Sequence, residues 1–84
     1  MAVADQPAAI VVNGEQKDVA SRVVSWETIV DLAFPGDRSN PDLTFIVTYE
    51  QTEQSKHDGT LAVGGSVTAK KEGTVFYVAK HRRS

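Results

Sequence analysis

Few side chains in this sequence are able to do chemistry, and their spacing limits what they can do. The internal serines Ser21, Ser25, Ser39, Ser55 and Ser66 supply hydroxyls, and His57 and His81 supply the only imidazoles. Nucleophilic catalysis needs a base held within hydrogen-bond reach of the hydroxyl and a third group to orient that base. One histidine lies in a polar loop and the other in the final stretch, so no Ser-His-Asp set can be argued. Neither histidine has a nearby ligand at metal spacing. Asp37, Asp42 and Asp58 fall in separate loops and follow no calcium-loop pattern. The chain has no cysteine, which removes disulfides, thiolate metal sites and a nucleophilic thiol together. These observations argue against an enzyme and call for no cofactor.

What remains is the end of the chain, Lys80-His81-Arg82-Arg83-Ser84, where basic side chains precede a free carboxylate. Such side chains suit an acidic groove on a partner and would speed docking into it. The plainer reading is a frayed, solvated terminus. Lys17, Lys56, Lys70, Lys71 and Lys80 offer amines open to covalent attachment, although each taken singly reads as ordinary surface charge.

The totals bound the answer. A chain of 84 residues makes one small domain with a thin core. A net charge of −2 argues against a nucleic-acid partner, which would demand a clustered positive surface. Residues 1–9 carry Asp5 and Pro7 and lack the basic start and apolar run of a signal peptide. No stretch approaches the roughly 20 apolar residues that span a bilayer. The expectation is a cytoplasmic protein with no membrane partner.

The elements that must position the tail can be read from pattern. Residues 1–7 are expected to be loose, residues 8–80 to form the domain, and residues 81–84 to be a flexible tail. A short β-favouring run, residues 8–12, meets Asn13-Gly14, a strong hairpin signal because both positions tolerate positive φ. The returning run, residues 15–20, is polar and suits a sheet edge. Ser25 is placed as a helix N-cap, with Val24 and Ile29 spaced as a hydrophobic staple. Glu27 suits the positive end of the helix dipole. Trp26, Ile29, Val30 and Ala33 share one face, and Pro35-Gly36 ends the helix. That spacing makes Trp26 a core residue sooner than a recognition anchor. A helix of about nine residues must pack on a sheet to persist.

Residues 36–42 read as a turn-rich loop. Residues 43–49 are the clearest strand, with Leu43, Phe45, Val47 and Tyr49 on one side and Thr44, Ile46 and Thr48 on the other. Residues 50–59 are polar and read as a mobile loop. Short extended pieces, residues 60–63 and 66–70, flank a Gly64-Gly65 turn. Lys71-Glu72-Gly73 turns the chain into a last strand, residues 74–80. One helix lying across a mixed sheet of roughly four or five strands is the economical arrangement, an α+β β-grasp.

Several segments carry a family resemblance in their order and spacing. They are Val12-Asn13-Gly14, then Trp26-Glu27-Thr28-Ile29-Val30-Asp31-Leu32-Ala33-Phe34-Pro35, then Phe45-Ile46-Val47-Thr48-Tyr49. Gly59-Thr60-Leu61, Gly65-Ser66-Val67 and Lys71-Glu72-Gly73-Thr74-Val75-Phe76-Tyr77-Val78 follow. The sequence resembles the bacterial multiubiquitin-type family of ubiquitin-like domains over nearly its whole length. The resemblance implies a single-domain protein modifier encoded beside an activating enzyme, a conjugating enzyme and a metalloprotease related to deubiquitinases. The activating enzyme would adenylate the C-terminal carboxylate with ATP. Transfer through the conjugating enzyme would then attach the modifier to target proteins by an amide (isopeptide) or ester bond. Lys80, His81, Arg82, Arg83 and Ser84 would form the conjugation tail.

One departure stands out. Ubiquitin-type modifiers end in Gly-Gly, which threads a narrow channel without side-chain clashes, whereas this sequence ends Arg82-Arg83-Ser84. Partner enzymes that accept this tail, trimming by the operon's protease, and a natural terminus beyond Ser84 are the three ways to reconcile the two. The departure favours a second reading, a non-covalent β-grasp adaptor that docks through its sheet face. Ile46, Val75 and Tyr77 are the candidate partner surface, provided that Phe76 and Val78 point inward. A sulfur carrier ranks last because it depends on a Gly-Gly end.

Overall fold

The computed structural model describes residues 6–52 and 59–82. Strand β1, Ala8–Val12, turns through Asn13 and Gly14 into β2, Glu15–Val19. Both turn residues have positive φ, 50° and 83°, as a two-residue hairpin loop of this hand requires. The polar β2 lies at one edge of the main sheet, as its charges suggest.

A short β3, Val23–Ser25, leads into helix α1, Trp26–Ala33. Ser25 caps it: the Ser25 hydroxyl accepts from the Thr28 backbone N–H at 3.2 Å. Val24 before the cap and Ile29 after it are both buried in the core. Phe34 ends the helix by donating its N–H to the Val30 carbonyl, and a 3-10 turn, Asp37–Ser39, follows Pro35 and Gly36.

Strand β4, Leu43–Glu50, and strand β7, Glu72–Arg82, are antiparallel neighbours in the sheet interior. The full order is β2-β1-β7-β4-β5, where β5 is Gly59–Leu61. β1 and β7 run parallel and every other pair is antiparallel, so the sheet is mixed. Strand β6, Ser66–Thr68, pairs only with β3 and makes a separate two-stranded sheet. The helix lies on one face of the main sheet. Ile10, Val12, Val47, Phe76 and Val78 point into that interface and meet Ile29 and Val30 from the helix. This is the β-grasp.

Sequence and structure differ at four places. β3 and β6 pair where the pattern gave only a cap region and an extended piece, because three-residue strands carry too little alternation to reveal a partner. Gly73, expected in a turn, sits inside β7 as a bulge, with φ of 96° and a register shift opposite Ala9 and Ile10. Most of the loop expected at 50–59 lies outside the described residues, but Glu50 ends β4 and Gly59 begins β5. Finally, β7 does not stop at Lys80. It continues through His81 and Arg82, which pair with Thr44 and Leu43 of β4. His81 and Arg82, expected in a flexible tail, are therefore strand residues, and the rest of that expected tail lies outside the described residues. Backbone pairing persists wherever the neighbouring strand still offers partners, whatever the polarity of the side chains.

Candidate functional site

Two features frame the candidate site: the sheet face opposite the helix, and the end of β7. On the open face, alternation along β7 brings Val75, Tyr77, Ala79 and His81 outward while Thr74, Phe76 and Val78 point into the core. Cross-strand pairing places Ile46 beside Ala79, Thr48 beside Tyr77, and Glu50 and Val11 on either side of Val75. Ile46, Val75 and Tyr77 thus share one face. Ile46 and Tyr77 stay 50% and 47% exposed, while Val75 is half-buried between its neighbours. Tyr77 borders a shallow depression with Thr48, Glu50 and Thr60. An exposed aromatic and an exposed aliphatic side chain on one sheet face are chemistry suited to a partner surface.

The tail residues divide. Lys80 is not a free handle: its ammonium meets Asp37 Oδ2 at 2.8 Å and lies 4.6 Å from the centre of the Phe34 ring. It points to the helix side, because its cross-strand partner is Phe45. Phe34, Phe45 and Trp26 form an aromatic row beneath it, with ring centroids 6.1 Å and 6.3 Å apart. Trp26 is buried within that row, in a core role. His81 and Arg82 are exposed strand residues, and the His81 carbonyl accepts from the Thr44 hydroxyl at 3.3 Å. Arg83 and Ser84 lie outside the described residues.

Asn13 also bears on the end of β7. β1 stops at Val12, yet the Asn13 side chain continues its pairing with β7. Asn13 Oδ1 accepts from the Val78 N–H at 2.8 Å, and Asn13 Nδ2 donates to the Val78 carbonyl at 3.2 Å. The sequence marks Asn13 as a turn residue and says nothing of this partner 65 positions away. The Lys80 to Asp37 pair is equally silent, since its members lie 43 positions apart.

Ser21, Ser25 and Ser39 are engaged in local structure, and Ser66 begins β6. Ser25 caps the helix, Ser21 bonds the Val23 backbone through both its hydrogen and its oxygen, and Ser39 donates to the Gly36 carbonyl. Arg38 makes a two-pronged contact with Asp31 at 2.9 and 3.2 Å. Hydrogen bonding to Asp31, and then its charge, raises the Arg38 pKa further and keeps the guanidinium ionised. His57 and Ser55 lie outside the described residues. Among the described residues no helix is long and apolar enough to cross a membrane.

The family model described as multiubiquitin matches residues 8–81, from the start of β1 almost to the end of β7. No curated protein and no solved structure matches the sequence. The match covers every strand of the sheet and the helix upon it, and the order of those elements is that of the β-grasp, so the chain belongs to the multiubiquitin family of ubiquitin-like domains.

Proposed function

We propose that this protein is a bacterial ubiquitin-like modifier, a substrate of conjugation and not a catalyst. The observation that carries this reading is the position of β7. It is the middle strand of the sheet, and its last residues run on beyond the end of β1. The body therefore supplies a rigid recognition surface, and the chain leaves it in a fixed direction toward the C-terminal carboxylate. In the proposed chemistry a carboxylate oxygen attacks the α-phosphorus of ATP and pyrophosphate leaves. A nucleophile of the partner enzymes then displaces AMP, and an amine or hydroxyl of the target finally displaces that nucleophile. ATP and its magnesium belong to the activating enzyme. A deubiquitinase-like metalloprotease would reverse the bond or trim the tail, and the reactions would take place in the cytoplasm.

The test is expression of the N-terminally tagged chain beside its genomic neighbours, followed by a denaturing gel. Versions ending at Arg82 and at Ala79 run alongside. Heavier tagged bands that vanish on truncation are expected, and their mass spectra would identify the joined residue. A single band in every lane, with partner enzymes shown to be active, would sink this reading.

A second reading is favoured by the exposed Ile46 and Tyr77 on the open sheet face. A non-covalent adaptor would dock there and leave the carboxylate unused. In that case Ile46→Asp would abolish partner capture while truncation at Arg82 would leave it intact.

A further inference from the structure

Val78 marks a change in how β7 is held. From Val75 to Val78 the strand is bonded on both sides, to β4 on one and to β1 with the Asn13 side chain on the other. Over residues 79–82, β4 is the only strand neighbour among the described residues, and all four residues are exposed. A solvent-exposed strand end with one neighbour and little buried surface opens at low cost. Besides the Thr44 hydroxyl on the His81 carbonyl, a side chain of the segment itself ties it to the helix layer. Lys80 reaches from the sheet to Asp37 in the 3-10 turn and lies over Phe34 at the end of the helix. It bridges the sheet layer and the helix layer at the point where the strand is held least.

We propose that Lys80 and Asp37 form a latch that keeps residues 79–82 zipped against β4. Its release lets this segment peel away as far as Val78, where the Asn13 clamp stops it. The proposal deepens the modifier reading, because the segment that peels is the one that carries the C-terminal carboxylate. Freeing these four extended residues lets the end of the arm swing within roughly 13 Å of Val78, at about 3.3 Å per residue. A partner with an acidic groove would release the latch by substitution: its carboxylate takes the Lys80 ammonium from Asp37, and the exposed Arg82 follows. The same groove would leave a latched arm unengaged, so recognition and release become one event.

Hydrogen exchange read by mass spectrometry on the full chain tests the latch without any partner. In Asp37→Asn, residues 79–82 are expected to exchange about fivefold faster at low salt, the scale of one exposed ion pair. Residues 74–78 should not change. Lys80→Met keeps the aliphatic stem over Phe34 and should match Asp37→Asn, and the double variant should exchange no faster than either single one. Raising the salt should narrow the gap between the parent chain and the variants. Asn13→Ala should instead carry the faster exchange into residues 74–78. Unchanged exchange at 79–82 in Asp37→Asn, or additive effects in the double variant, overturns the latch whichever way the conjugation gel reads. The expected exchange pattern combined with no conjugate on the gel would keep the latch and remove the modifier reading.

Discussion

Thr74 shows how much one hydroxyl can hold. It is fully buried, accepts from the Lys70 N–H at 2.9 Å and donates to the Gln51 carbonyl at 2.8 Å. It thereby joins the segment after β4 to the segment before β7. Thr74→Val keeps the shape and leaves both backbone groups without that partner, so a loss of about 1–3 kcal/mol is expected. Urea unfolding should show a lower midpoint with an unchanged slope. Tyr77→Ala on the open face should behave oppositely, moving stability by less than about 1 kcal/mol while weakening capture of any partner bound there. The inward pair Phe45 and Val47 was legible from alternation, because burial imposes a period of two on a strand, whereas the facing of β7 stayed open until the structure placed Phe76 and Val78 in the core. The bonds of Thr74, Asn13 and Lys80 were not legible. A polar side chain states its valence but not the distant backbone that satisfies it.

At the level of elements, signals confined to a few neighbouring residues were readable. The Ser25 cap and the Asn13-Gly14 turn both act within about four positions, where sequence and geometry are nearly the same thing. Ser25→Ala should cost about 1 kcal/mol, measurable as a lower melting temperature. Features set by pairing were harder. The length of β7 follows from where β4 begins, at Leu43, and the apolar run in β7 ends sooner than the strand does. One consequence concerns the tail truncations. Removing residues 80–84 strips partners from Leu43, Thr44 and Phe45 and lifts the cation from Phe34. A melting temperature lower by several degrees is expected, since about 1 kcal/mol shifts a domain of this size by roughly 4–8 °C. The version ending at Arg82 keeps every pairing of β7 with β4, which makes it the cleaner control for loss of conjugation.

At the scale of the whole molecule, the β-grasp was legible because an order of hairpin, helix and strands leaves few ways to cover one helix with one sheet. The separate β3-β6 sheet was not. The main sheet also joins the first and last strands of the domain as parallel neighbours. Parallel neighbours place the start of β1 and the end of β7 at opposite ends of the sheet. A pull applied at Ala8 and Arg82 therefore loads the hydrogen bonds between β1 and β7 together, in shear. A pull applied at Ala8 and Val19, across the antiparallel hairpin, opens its bonds one after another. Single-molecule stretching should find a distinctly higher rupture force for the first pair of attachment points, because forced unfolding follows the barrier along the pulled direction. Whatever is joined to the two ends, this domain transmits tension as a stiff link, not as a spring.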